Sequence, residues 1–461
     1  PTGGGPASEL CAMKHSTLVL GAGIGGLSAA WAPRNDPDVL VLDAGDHVGG
    51  HSDTAVVRPD GPDGPEVAVD TGFIVHNDLT YPNLLALFEH LGVQRAPSDM
   101  SFAFTRSESG ADAEYSGTLR GLLGHGAWRR RSQRRLTADI VAFGKVAAEI
   151  TPAQEAATHA GAELTVAELA ARFSPEFRER YLYPMAAAIW SSPDLDVAAM
   201  PARSLIAFFH QHGLFRLRGR PQWSTLAGGS RSYVGALVDS LAGEVRHGVP
   251  VRSVTRVGGL AEGRMVVAAA DGESWRADRV VLATHADTSL ALLGDDATEA
   301  ERHVLGRFRF SPNVAYLHSD PTWMPKARRH WSAWNVAGTP ADEVTVTYWM
   351  NRLQPLNTST DLFVTLNPPW RPEGVLRRRD YTHPVMSAES TAAQRDLPAI
   401  QGVGGLWHCG AWTGYGFHED GAESGLAVGA AIGGDVPWSL RPRAERPASM
   451  VTSGIRMREL V

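Results

Sequence analysis

The run Gly21-Ala22-Gly23-Ile24-Gly25-Gly26 brings glycines together at a spacing suited to holding a diphosphate. Before it, Thr17-Leu18-Val19-Leu20 is a short apolar run that reads as a buried parallel strand. After it, Leu27-Ser28-Ala29-Ala30-Trp31 reads as a helix start. Each glycine has its own task in such a turn. Gly21 allows a tight turn, Gly23 lets backbone approach a pyrophosphate, and Gly26 lets the helix pack against the strand. Gly25 lies between the last two, where the helix N-terminus offers free N–H groups and about half a positive charge to an anion. A second apolar strand, Val39-Leu40-Val41-Leu42, ends in Asp43, whose carboxylate can accept from ribose hydroxyls. The alternative makes Asp43 a plain strand-end turn residue.

Directly after the acid come Ala44, then Gly49-Gly50-His51-Ser52-Asp53-Thr54. A nicotinamide site has no need of a second glycine pair here. The stretch resembles the FAD-specific extension of the amine oxidase superfamily, in which an acid, Ala and a Gly-Gly pair follow one another. His47 stands where that pattern carries arginine. The resemblance implies FAD as cofactor and contacts from Gly49, Gly50 and His51.

Further segments follow in the order of that superfamily. Val249 to Val254 reads as a strand, and the resemblance places backbone near Val251 against the adenine. Asp278 to Thr284 reads as a strand returning to the Rossmann sheet. Near the end, Trp407-His408-Cys409-Gly410 meets a glycine turn, and a helix is expected to start near Gly421. In the superfamily that helix end faces the flavin, where its dipole stabilises negative charge on the reduced ring. From about Thr17 to Gly434 the chain resembles bacterial FAD-dependent amine-oxidase-like proteins found beside cyclopropane-fatty-acyl synthases. Segments carrying this include Asp70-Thr71-Gly72-Phe73, Tyr183 to Trp190, Trp331 to Asn335 and Gly416 to Gly421.

His418 and Glu419 precede the expected flavin-facing helix and are the candidate groups near the ring, with Tyr415 as a wall. His418 can hold a proton near neutral pH. Equally, it packs at a helix start that Glu419 or Asp420 caps, and Tyr415 is a core aromatic. The protein's part in flavin chemistry is position, electrostatics and sometimes a base, while the flavin N5 accepts hydride.

The family association points to an apolar substrate, an unsaturated or methyl-branched fatty acyl chain. Amine oxidation is the rival reading, and many amine oxidases place a lysine beside the flavin. The sequence holds three lysines, Lys14, Lys145 and Lys326, and the last sits in a basic surface-like turn. Redox-neutral double-bond isomerisation and flavin-free binding of a lipid or partner on the same fold are further alternatives. Trp331, Trp334, Tyr348, Trp349 and Met350 either line an apolar chamber or fill the core. The run Arg129 to Arg135 carries five arginines in seven residues and could dock on anionic membrane; a solvated helix face is the plainer reading. Cys409 invites a covalent flavin link but reads as a small buried strand residue.

To position these groups, 461 residues call for more than one core. The expected fold is α/β: a Rossmann-type FAD-binding domain with a discontinuous α+β substrate domain. The first would use residues 14–80, 225–290 and 400–435, the second 81–224 and 291–399. Residues 1–13 read as a disordered leader and 436–461 as a loosely ordered tail. Helices are expected over Leu164 to Phe173 and Leu205 to His212, and strands over Thr345 to Trp349 and Leu362 to Leu366. A net charge of −7 and the absence of any zinc or nucleic-acid-binding spacing argue against nucleic acid as a partner. No run of 18 apolar residues exists, which suggests a cytoplasmic protein, at most peripheral to a membrane. The pattern leaves oligomeric state open.

Overall fold

A computed structural model of the protein describes residues 13–106, 113–116, 131–149, 164–190, 194–211, 221–260, 263–338 and 345–442. The chain forms two compact units. The first takes the described residues up to Gly50, with Tyr233–Phe308 and Ala392–Arg441. The second takes the described residues of His51–Ser232 and Arg309–Thr391. The first partition thus falls directly after the Gly49-Gly50 pair, where the sequence pattern suggested residue 80.

In the first unit, Met13–Leu20 pairs in parallel with Val39–Leu42 on one side and Ser274–Leu282 on the other. Glu244–Arg246 extends the parallel sheet beyond Val39–Leu42, and Leu406–His408 lies parallel to the end of Ser274–Leu282. Arg264–Ala269 and Val251–Val257 add antiparallel strands. Leu18, Val19, Val41, Val280 and Val281 are fully buried, because a parallel sheet is covered on both faces. The helix Ile24–Trp31 is buried all round, which suits its small, apolar sequence.

That helix packs tightly on the C-terminal helix His418–Ala431, and glycine makes the approach possible. A Cβ on Gly425 would collide with the Gly25 carbonyl oxygen. One on Gly429 would lie 2.7 Å from the Ala29 oxygen, and one on Gly421 would lie 2.7 Å from Ile24 Cγ2. Residues 421, 425 and 429 lie four apart on one face, so the helices meet backbone to backbone along two turns.

The second unit holds a seven-stranded mixed sheet. In order its strands are Arg377–Pro384, Phe310–His318, Phe363–Leu366, Thr345–Trp349, Trp334–Ala337, Phe102–Arg106 and Ala113–Ser116. Only the pair Trp334–Ala337 and Phe102–Arg106 is parallel. Thr54–Val57 pairs with Val67–Asp70 in a small separate sheet. A helical part gathers Phe143, Phe177 and Phe209 into a buried aromatic cluster.

The helix expected over 164–173 is shorter, Val166–Ala170. Thr165 and Glu168 form a capping box that fixes its start. Its neighbour is Ala202–Gln211. The strand Thr345–Trp349 has the expected bounds, and Phe363–Leu366 starts one residue later than expected. No helix among the described residues is long and apolar enough to cross a membrane.

Candidate functional site

Within the first unit the glycine loop has the geometry of a nucleotide cradle. Gly21 sits at φ +106°, and a Cβ there would be 2.8 Å from the Ala283 oxygen. Only glycine fits both constraints. A Cβ on Gly26 would collide with the Gly21 oxygen, and one on Gly25 would lie 3.1 Å from Gly410 Cα. Gly23 differs: nothing lies within 4 Å of where its Cβ would point. The open side of the loop is therefore at Gly23, which also N-caps the helix Ile24–Trp31 without any side-chain cap. Backbone N–H groups at this end are available to an anion, so these residues fit a dinucleotide diphosphate.

The second glycine pair folds against the first loop. The Gly49 N–H donates to the Ala22 oxygen at 2.9 Å, and Gly23 and Gly49 form a parallel bridge. His47, at the position expected for arginine, ties the stretch together through Asp46 Oδ1 at 2.7 Å and the Gly50 oxygen at 3.2 Å. Asp43 Oδ2 accepts from the Ala22 N–H at 2.6 Å, and Oδ1 accepts from the Gly45 N–H at 2.7 Å. Each oxygen keeps a second acceptor site for a ribose hydroxyl. Ala44 is exposed beside this turn. Val251 opens its strand close by, since the Val249 N–H donates to the Asp43 oxygen at 2.8 Å. The ladder is irregular between Val251 and Ser253, which releases backbone groups there.

The C-terminal helix starts at His418, not near Gly421, which corrects the expected boundary. The cause is Asp420: its Oδ2 accepts from the N–H groups of Tyr415 at 3.0 Å and Phe417 at 3.1 Å and so closes the first turn. Asp420 rather than Glu419 is therefore the capping acid. Glu419 is 2% exposed, while His418 and Tyr415 are half-buried. Gly410, at φ +144°, lies beside Gly25, and its N–H donates to Ser424 Oγ at 3.0 Å. Cys409 is fully buried and burial pushes its thiol up to about 12, which suits a packing residue.

His51 belongs to the second unit, and its ring stacks on Tyr381 at 4.8 Å and meets His383 at 5.1 Å. Around it lies a cluster that sequence reasoning missed. Asp53, 3% exposed, is paired with Arg379 and lies 3.6 Å from Arg377. Tyr381 Oη meets Thr71 Oγ1 at 2.8 Å and donates to Asp53 Oδ2 at 3.5 Å. Burial drives the Tyr381 phenol well above its ordinary range, so it remains a hydroxyl. The signal was present as Arg377-x-Arg379-x-Tyr381-x-His383, a period of two on one strand.

A second buried carboxylate, Asp70, organises its surroundings. Its Oδ1 accepts from Thr54 Oγ1 at 2.6 Å and from Ser230 N and Oγ, both at 2.8 Å. Gln354 grips it twice, donating to Oδ2 at 2.8 Å and accepting from the Asp70 N–H at 3.0 Å. Burial pushes the Asp70 carboxyl up to about 6.

Of the two readings of the aromatic set, chamber lining or core, the packing favours core: the rings largely meet one another. Met350 and Tyr348 are buried, Trp334 meets Tyr348 edge-on at 4.9 Å, and Trp331 meets Trp349 at 5.3 Å. Lys326 and Lys145 are exposed. Of the arginine run, Arg129 and Arg130 lie outside the described residues. Arg131, Arg134 and Arg135 are exposed on the helix Arg131–Glu149.

Over residues 24–350, more than half of the 461, the sequence matches the family described as flavin containing amine oxidoreductase. No curated protein matches in sequence. The fold is similar to that of putrescine oxidase bound to putrescine, with TM-score 0.63 and 16% identity, covering 91% of this chain and 99% of that one. It is similar to cyclohexylamine oxidase from Brevibacterium oxydans IH-35A, with TM-score 0.64 and 15% identity over 91% of this chain and 98% of that one. It is equally similar to a CLA-producing fatty acid isomerase from P. acnes, with TM-score 0.64 and 14% identity over 90% and 98%. At such identities the likeness is one of fold.

Proposed function

The chain belongs to the flavin-containing amine oxidoreductase family and is an FAD-dependent oxidoreductase, and within that class we propose that its substrate is an apolar, unsaturated or methyl-branched fatty acyl chain. The observation that carries this reading against amine oxidation is the placement of lysine. Lys145 and Lys326 are exposed at the surface, and Lys14 lies in the first strand of the nucleotide-binding unit. The fold alone does not choose, since amine oxidases and a fatty acid isomerase are equally similar to it.

When bound, FAD supplies a hydride acceptor at its N5. The chain's own residues do the rest. Gly21, Gly23, Gly25 and Gly26 hold the diphosphate on the free N–H groups of the first helix, with Gly49 and Gly50 folded beside them. Asp43 and Ala44 take the ribose side, and backbone at Val251 takes the adenine. Gly410 and Gly421 let the C-terminal helix close on the first helix, and its N-terminal dipole favours negative charge. His418 holds the proton released when the substrate loses hydride, while Glu419 and Tyr415 shape its surroundings.

The test is anaerobic. Phospholipids with unsaturated or methyl-branched acyl chains, and separately primary amines, are mixed with the flavoprotein. Bleaching of the oxidised flavin band by the lipids, with a new double bond found by mass spectrometry, is the expected outcome. Bleaching by amines alone overturns the substrate reading. Lipid product formed without bleaching assigns isomerisation instead.

A further inference from the structure

Trp370 is 67% exposed, more than any other large apolar residue among those described. It sits in the loop between the strands Phe363–Leu366 and Arg377–Pro384, in the sequence Pro368-Pro369-Trp370-Arg371-Pro372. A single exposed tryptophan needs no explanation. This one is held out by what lies beneath it. Trp323, largely buried, meets its ring at 4.8 Å with the two planes tilted by 39°. Asp320 ties the two loops together, accepting from the Glu373 N–H at 3.1 Å and from Thr322 N and Oγ1 at 2.9 and 2.6 Å. Three prolines fix φ along the loop, so little conformational freedom remains to be lost on docking.

The charge around the indole is one-sided. Lys326, Arg329 and Arg371 are all exposed in the same two loops, against one exposed carboxylate, Glu373. Arg329 and Arg371 make no hydrogen bond or ion pair among the described residues. Arg328, next to Arg329 in sequence, is occupied: it pairs with Asp361 at 2.8 and 3.2 Å and lies over Trp331 at 4.3 Å. Leu376, also exposed, follows in the second loop. Such a surface stands out on a chain whose net charge is −7.

We propose that these two loops form a docking surface for an anionic lipid membrane, with Trp370 and Leu376 entering the headgroup region and Lys326, Arg329 and Arg371 contacting lipid phosphates. An indole with an apolar body and a polar N–H partitions to that interface, and flanking cations add attraction to anionic leaflets. This surface is different from the Arg129 to Arg135 run, which the sequence alone offers as a membrane contact. It stands whether or not the substrate is a lipid.

The test uses the FAD-loaded protein and vesicles whose acyl chains are saturated and unbranched, so that headgroup binding is read apart from substrate recognition. Sedimentation with vesicles of equal parts phosphatidylglycerol and phosphatidylcholine should carry the protein down, and phosphatidylcholine alone should not. The Trp370 emission should shift to the blue, and Trp370→Ala should abolish the shift and weaken binding about tenfold. At about 1 kcal/mol for each basic residue near the surface, the triple variant K326E/R329E/R371E should bind about 100-fold more weakly. The variant R131E/R134E/R135E should bind like the parent. No binding of the parent to anionic vesicles overturns the proposal and leaves these loops to a protein partner. Loss of binding in the second triple variant and not the first also overturns it. Should the first triple variant fail to fold, the Trp370 blue shift in the parent and its absence with phosphatidylcholine decide the matter.

Discussion

Replacing Asp70 by asparagine should change stability in a manner that depends on pH. Asp70 is 1% exposed and takes four hydrogen bonds, three on Oδ1 and one from Gln354 on Oδ2. Asparagine keeps the shape but sets an amide N–H₂ against the Gln354 N–H₂. Flipping Gln354 relieves that clash only by facing its N–H₂ to the Asp70 N–H. One buried donor is thus left unsatisfied, which costs about 1–3 kcal/mol, and a protonated carboxyl meets the same difficulty. The pH dependence comes from the titration. Burial raises the Asp70 carboxyl from 3.8 in the unfolded chain to about 6 in the fold. Between those values the folded protein holds a proton that the unfolded chain has lost, so stability falls as pH rises through that window and levels off above it. At 1.36 kcal/mol per pH unit the displacement is worth about 3 kcal/mol. The asparagine variant lacks this dependence. At about pH 4 the folded Asp70 carries a proton, a donor in the same site as the asparagine amide. Urea unfolding followed by tryptophan fluorescence should therefore show Asp70→Asn nearly neutral there, and more favourable by up to about 3 kcal/mol as pH rises past 6. At about pH 7 the substitution should be stabilising. An effect that is the same at both pH values refutes the account of Asp70 as a carboxylate held against its desolvation.

Removing one side of the ion pair between Asp53 and Arg379 leaves a charge in a largely buried site. Asp53→Ala should therefore cost about 3–5 kcal/mol in urea unfolding, and adding Arg379→Met should return more than half of it. Purely additive single costs would show that the pair is not coupled. Gly425→Ala should lower stability by about 1–3 kcal/mol and loosen FAD retention, because its new methyl meets the Gly25 oxygen, whereas Ala427→Ser on the exposed side should change neither. Equal thermal midpoints for Gly425→Ala and the parent would contradict the close helix contact.

The nucleotide unit was legible because its signals are local. One stretch of about thirty residues carries strand, glycine turn, helix, strand and acid, and Val39–Leu42 appears with the bounds its apolar run suggests. The start of the C-terminal helix was misplaced for a reason that is also local. His418, Glu419 and Asp420 look like loop residues until Asp420 is seen to accept from Tyr415 and Phe417 and draw them into the first turn. The cluster at Asp53 was beyond reach of pattern reading. Its members come from positions 53, 71 and 377 to 383, and only strand pairing brings them together. Asp70 was visible as part of a motif, but its raised pKa follows from burial, which hydrogen bonds from Ser230 and Gln354, 160 and 284 residues along the chain, only partly offset.

The contact between the first helix and the last has a consequence for synthesis on the ribosome. Arg34 donates to the Asp435 oxygen across 401 residues, next to the glycines on which the two helices meet. At about 5–20 residues per second, the nascent chain carries the helix Ile24–Trp31 for on the order of 20–80 s before its cover is made. Over that interval its largely apolar surface stands open to water and to other chains, so this unit completes itself only once the helix His418–Ala431 has been made. Chaperone dependence, and inclusion bodies when the last helix is cut away, are the expected marks of that delay.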